Sequence, residues 1–164
     1  MESTIIKEVT LTRIFNAPRE LVYKAFTNRE MMMEWWRPHG FSNPECEMDV
    51  RVGGKWKINM HAPQMGFPNH WCHGVFLELH PFEKVVFTSR AFLDENDNAG
   101  IEGVNTIILE DENGKTKLTL HAILTKLATG LQAAADGMEQ GWIQSLEKLD
   151  TLVSPFDYAQ DDNK

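Results

Sequence analysis

The sequence predicts an α+β fold, a coiled antiparallel sheet wrapped around a long C-terminal helix, on three observations. From about residue 46 apolar residues alternate in segments separated by turns rich in Gly, Pro and Asn, the pattern of antiparallel strands. Over LQAAADGMEQGWIQSLEKLDTLV the period changes: Leu131, Ala134, Ala135, Met138, Trp142, Leu146, Leu149 and Leu152 recur at three and four, as on one stripe of a helix. Ahead of both, one strand and two short helical stretches open the chain. An antiparallel sheet with an apolar face has to cover it, and the long amphipathic helix is the obvious cover. A sheet of this many strands coils strongly, and wrapped around a single helix it leaves room between the layers.

Element by element, IIKEVTLTRIFNAP is dominated by β-branched residues and reads as a strand to about Phe15. Asn16 is placed to cap the next helix, with Pro18 in its first turn and Glu20 close behind. PRELVYKAFT puts Leu21, Val22, Ala25 and Phe26 on one stripe. Asn28 caps a second short helix, NREMMMEWW, which Pro38 and Gly40 stop. ECEMDVRVGGKWKINM gives two strands joined at Gly53-Gly54, with Trp56, Ile58 and Met60 on one face of the second. HAPQMGFPNH reads as a loop. WCHGVFLELH alternates, with Trp71, His73, Val75, Leu77 and Leu79 assigned to one side, the apolar one. Pro81-Phe82 turns the chain into KVVFTSRAF, and DENDNAG is a polar loop. EGVNTIILED and KTKLTLHAILTKL then pair around the turn Glu112-Asn113-Gly114, the second strand carrying Leu118, Leu120, Ala122 and Leu124 on one face. The closing pattern from Leu131 to Leu152 reads as one helix. Its Gly137 and Gly141 each cost about 1 kcal/mol there relative to alanine, and are read as permitting close approach to the sheet or to bound material. Residues 1–154 are expected to form one domain and 155–164 a frayed polar tail.

Composition narrows the function classes. The chain has 164 residues, 42% of them hydrophobic, enough for one domain with a core. It lacks the apolar run of about 18 residues that a membrane span needs. MESTIIKEVTLT has neither the basic start nor the apolar run of a secretory signal. A formal charge of -8 and a pI near 5.2, with positive residues scattered rather than striped, argue against nucleic acid and anionic membranes as partners. Cys46 and Cys72 make no disulfide framework, and reduced thiols in a cytoplasm are the simplest expectation.

No motif commits the chain to a reaction. His70, Cys72 and His73 fall in NHWCHG, but their spacing puts Cys72 and His73, and His70 and His73, on opposite faces of a strand; no metal or cofactor is expected. Cys72 lacks a nucleophile motif, Ser89 does not sit in a G-x-S-x-G elbow, and Gly53-Gly54 lacks the Lys-Ser or Lys-Thr of a phosphate loop. The carboxylates of DENDNAG and EDENG lie in turn-rich stretches without the flanking helices of a calcium loop. His121 faces away from Leu118, Leu120 and Ala122, and His61 is undecided between hairpin and loop. His73 stands among apolar neighbours, where an imidazole suits a hydrogen bond at a pocket rim, a ligand contact or acid–base work; with Arg90 it is the weak catalytic candidate. EMMMEWWRPHGFS raises its own question. Trp35 and Trp36 are adjacent, so on a helix they point about 100° apart and one core face does not easily take both. Either both rings plug the core at an elbow, or one of them contacts a ligand.

The strings RIFNAPRELVYKAFTNREMMMEWW, VRVGGKWKI, HGVFLELHPFEKVVFT, TKLTLHAIL and GMEQGWIQSLEKL spread over about residues 5 to 152. Together they resemble the activator-of-heat-shock-chaperone-ATPase homologue-like proteins of the START-related, SRPBCC or Bet v 1-like superfamily, in the bacterial single-domain form. The resemblance implies a helix-grip fold with a cavity between sheet and C-terminal helix, and an elbow carrying Trp35 and Trp36 that sits at the mouth of the cavity or closes it. Relatives bind lipids, polyketides, steroids or other apolar molecules, and some are cyclases, hydratases or hydrolases. The eukaryotic chaperone activators carry a further N-terminal domain, for which this sequence is not expected to have room. Combined with the face assignments, the resemblance places a binding site for a small, mostly apolar molecule at Trp35, Trp36, Trp56, Ile58, Met60, Trp71, His73, Val75, Leu77, Phe87, Leu118, Leu120, Met138 and Trp142. The alternatives are a cyclase- or hydrolase-like enzyme using His73 or Arg90 with a pocket water, and a protein-interaction or co-chaperone-like module. A homodimer and a chaperone partner stay open.

Overall fold

The computed structural model describes residues 5–37 and 39–154. The helix stop read at Pro38 and the polar tail over 155–164 lie outside the described residues. The strands are β1 (Lys7–Phe15), β2 (Cys46–Met48), β3 (Lys55–Ala62), β4 (Phe67–His80), β5 (Lys84–Leu93), β6 (Ala99–Glu112) and β7 (Lys115–Leu127). They form one antiparallel sheet in the order β1-β7-β6-β5-β4-β3-β2. Helices α1 (Arg19–Thr27) and α2 (Arg29–Trp35) follow β1, and α3 (Gln132–Asp136) and α4 (Met138–Val153) follow β7. This is the α+β helix-grip arrangement expected from the sequence, with α4 packed on the sheet.

Local chemistry explains much of it. Asn28 caps α2 by accepting a hydrogen bond from the Met31 amide at 3.0 Å, which satisfies a donor the helix leaves orphaned. Asn113 (φ 57°) and Gly114 (φ 87°) supply the two left-handed residues of the tight β6–β7 turn. In β7, Thr116, Leu118, Leu120, Ala122 and Leu124 are all buried, and the Thr116 hydroxyl donates to the Ala17 carbonyl at 2.7 Å. Arg13 of β1 donates from Nη2 to the Asp150 carboxylate of α4 at 2.8 Å, tying sheet edge to helix.

Several readings change. The first helix has Pro18 rather than Asn16 at its N-cap, without a side-chain bond. Of the stretch read as a loop over residues 61–70, His61 and Ala62 still belong to β3, and a 3-10 turn, Pro63–Met65, closed by Gly66 at φ 88°, leads into β4 at Phe67. The β2–β3 connection is longer than a Gly53-Gly54 turn, because Met48 pairs with Trp56 and leaves 49–54 outside the ladder. The closing helical pattern is broken at Gly137, whose φ of -87° and ψ of -1° separate α3 from α4. Glycine is the poorest helix former after proline, so an unbroken apolar stripe does not guarantee an unbroken helix.

The largest correction is the facing of β4. Directly paired residues share a sheet face, and Trp56 and Ile58 of β3, both buried, stand opposite Gly74 and Cys72. Hence Cys72, Gly74 and Phe76 point inward, and Trp71, His73, Val75 and Leu77 point to the outer face. Trp71 is covered there by Lys57, whose ammonium lies 5.1 Å from its ring centroid, and Leu77 is exposed. A register shift between Phe76 and Glu78 then returns Leu79 to the core side. Gly74 is required by this packing: a Cβ there would lie 2.0 Å from the Thr88 carbonyl oxygen and 2.3 Å from Trp56 Nε1.

Cys46 and Cys72 are both free and buried. They flank Ile58 from β2 and β4, two strands apart, which at the usual spacing is about 9–10 Å and beyond disulfide reach.

Candidate functional site

The interior is not solid throughout. A cavity of about 290 Å³ lies between the sheet and α3–α4. It is near the small end of ligand pockets, which run from about 300 to 1,000 Å³. Met60 of β3, His70 and Cys72 of β4, Ser89 and Ala91 of β5, Asn105 of β6 and Ile123 of β7 line the sheet side. Ala134 and Ala135 of α3, Gly137, and Met138, Gly141, Trp142 and Ser145 of α4 line the helix side, with Trp36 and Arg37 entering from the segment after α2.

The space exists because the sequence is small where the layers face each other. Ala134, Ala135, Gly137, Gly141 and Ser145 are opposed by Ser89, Ala91 and Gly103. A Cβ built on Gly141 meets nothing within 4 Å. Gly141 therefore opens room rather than allowing close approach to the sheet, which corrects one half of the sequence reading of that glycine.

The two adjacent tryptophans divide their roles. Trp35 is fully buried, donates from Nε1 to the Ala25 carbonyl at 2.8 Å, and packs edge-on against Phe26 at 4.7 Å between centroids. It is a core residue. Trp36 reaches the cavity wall and is the hub of an aromatic cluster, with centroids 5.4 Å from Trp56, 5.8 Å from Phe87 and 5.3 Å from Trp142, all edge-on.

Polar groups punctuate the apolar wall. Asn105 is buried and donates from Nδ2 to the Ser89 hydroxyl at 3.2 Å and the Phe87 carbonyl at 3.4 Å. The His70 imidazole lies 4.6 Å from the Phe92 ring and 5.2 Å from Phe67, and burial pulls its pKa below 6.5. Burial pushes the Cys72 thiol up to about 12 against a smaller lowering by Trp36, so it stays protonated at neutral pH and is a poor nucleophile. Its sulfur lies 3.4 Å from that of Met60. Arg37 borders the cavity with its Nε buried and without a hydrogen-bond partner. Among the described residues no group of three or more His, Cys, Asp or Glu is arranged to hold a metal ion.

Of the residues read from the sequence, Trp36, Met60, Met138 and Trp142 come together at the wall. Trp35, Trp56, Ile58, Phe87, Leu118 and Leu120 are on the inner side but belong to the packed core, where they support the wall without lining it. Trp71, His73, Val75 and Leu77 are on the opposite face. His73 stands across from Arg90 there, and its pKa is lowered chiefly by burial, with Asp97 acting the other way. Arg90 borders the cavity, but its guanidinium is engaged by the Glu102 carboxylate at 3.3 Å and the Asp97 carbonyl at 2.7 Å. The pair proposed for catalysis therefore does not converge on the cavity. His70, Cys72, Ser89, Asn105, Ser145 and Arg37 were missed as wall residues. The usable signal for the β4 pair was their place opposite Met60 and Ile58, which needs the strand register.

A family model described as "Activator of Hsp90 ATPase homolog 1-like protein" matches residues 16–154. Among solved structures, a protein from Chromobacterium violaceum is 30% identical with a TM-score of 0.72, over 90% of this chain and 97% of its own. The AHSA1 protein from Silicibacter pomeroyi is 24% identical with a TM-score of 0.71, over 88% and 96%. A Nitrosomonas europaea protein is 22% identical with a TM-score of 0.72, over 96% and 97%. The last two speak for the fold alone. No curated protein matches the chain.

Proposed function

The chain belongs to the activator of Hsp90 ATPase homolog 1-like family, and from that premise we propose that it binds a small, mostly apolar molecule between its sheet and α4. The observation that carries this reading is the cavity itself: about 290 Å³ of space, kept open by glycine and alanine on the helix side and walled by Trp36, Met60, Met138 and Trp142. Burying apolar ligand surface there is favourable at about 25 cal/mol per Å², and a ligand that fills the space needs no rearrangement of the core. Asn105, Ser89 and Ser145 offer fixed hydrogen-bonding groups that orient it, the usual division of labour in such pockets. The size favours a compact ligand over a long acyl chain.

The test is native mass spectrometry of the protein purified from its own cells, followed by extraction and identification of what it carries. A mass excess that disappears on denaturation and recurs across preparations is expected. Identical native and denatured masses, together with no binding of compact aromatic probes to the purified protein, would overturn the proposal.

A further inference from the structure

Among the described residues two cations near α4 have no carboxylate in an ion pair, and one of them, Arg37, borders the cavity. The segment after α2 runs along α4, where the His39 amide donates to Gln144 Oε1 at 2.9 Å. Within that segment Arg37 reaches the cavity wall, and its Nε is buried with no hydrogen-bond partner. Lys148 follows Ser145, a wall residue, on α4. Its ammonium is held below its ordinary pKa first by burial and then by the neighbouring Arg37 guanidinium, with Glu147 acting more weakly in the opposite sense. Among the described residues neither Arg37 nor Lys148 takes part in an ion pair, although the chain carries 24 acidic side chains against 16 basic ones. Neighbouring like charges that are partly buried, with no ion-pair partner among the described residues, favour an anion that completes them.

We infer that the molecule held in the cavity is a small aromatic or alicyclic carboxylate, its ring against Trp36 and Trp142 and its carboxylate on Arg37, with Lys148 adding charge. This rests on the cavity reading above and deepens it. A planar guanidinium forks to a carboxylate through two parallel N–H donors, which fixes the direction of the ring. The apolar wall excludes water from the same contact and so strengthens it.

The experiment is calorimetric titration with 2-naphthylacetate and with its neutral amide, 2-naphthylacetamide, at low ionic strength. The protein is used as wild type, Arg37→Gln and Gly141→Leu. The acid is expected to bind wild type about tenfold or more tightly than the amide, the worth of one charge-assisted bond. Added salt should weaken only the acid. In Arg37→Gln the preference of acid over amide should vanish, and Gly141→Leu should abolish binding of both. Equal affinities for acid and amide in wild type, or a preference that survives Arg37→Gln, would overturn the carboxylate assignment while amide binding lost in Gly141→Leu kept the cavity reading. Failure of both probes to bind wild type would remove both. The acid-to-amide ratio and its salt dependence in wild type need no variant, so a misfolded Arg37→Gln does not shelter the inference.

Discussion

Filling the cavity from the helix side separates the space from the rest of the core. Gly141 is half-buried in α4, and a Cβ there has nothing within 4 Å. In Gly141→Leu three effects compete. Replacing glycine in a helix interior gains about 1 kcal/mol. Covering part of an isobutyl group gains roughly another 1 kcal/mol, about half the value of full burial. Overpacking would cost about 1–3 kcal/mol if the space were already filled. With open space the first two win, for a net stabilisation of about 1–2 kcal/mol. At about 2–4 °C per kcal/mol for a chain of this size, the melting temperature should rise by about 2–8 °C. Binding of 2-naphthylacetate should fall at least tenfold in the same sample, because the side chain occupies its place. Calorimetric unfolding and titration of one preparation read both. A lower melting temperature would mean that the space is not there, and unchanged affinity would mean that the probe binds elsewhere.

Trp142→Asp removes a large ring from the cluster around Trp36 and places a charge beside it, so thermal unfolding should show a loss of about 3–5 kcal/mol; a nearly unchanged transition would refute the packing of α4. His73→Ala, on the outer face, should leave probe affinity within a factor of about two by titration, and a loss of tenfold or more would return His73 to the site. The pKa of His70 is depressed in the folded state, so its contribution to stability is present above pH 6.5 and is lost as pH falls through the lower folded value; stability measured from pH 7.5 downward should drop, and His70→Gln should flatten that drop. With its thiol buried and pushed up to about 12, Cys72 should resist iodoacetamide at pH 8 in the native protein and react once it is unfolded; rapid native alkylation would contradict the burial.

Much of the fold was legible because its signals are local. The caps and turns at Asn28 and Asn113-Gly114, the alternation in β7 and the apolar stripe of α4 each follow from a few neighbouring residues. The site was less legible because it depends on register. In β4 both phases of the alternation hold large groups, and the more apolar phase, Trp71, Val75 and Leu77, is the one that faces out. Only the pairing of Cys72 with Ile58 and of Gly74 with Trp56 decides the matter, and pairing is a long-range fact. The inner-face strand residues Leu118 and Leu120 were assigned to the correct side but lie within the solid core, because a face does not say where along it the space falls. That position is set by what is missing from side chains, at Gly141, Ala134 and Ala135, and small residues leave a weak pattern in sequence. Arg37 was invisible as a wall residue, since its meaning lies in an unpaired Nε.

The proposed site holds a small molecule against the edge-on pair Trp36 and Trp142 on the inner side of the sheet. The indole N–H resonances of the five tryptophans, assigned by single Trp→Phe substitutions and followed during titration with 2-naphthylacetate, test it directly. Trp36 and Trp142 should shift most, saturably and together, while Trp71 on the outer face stays in place. Shifts confined to Trp71, or no saturable shift at Trp36 and Trp142, would contradict it.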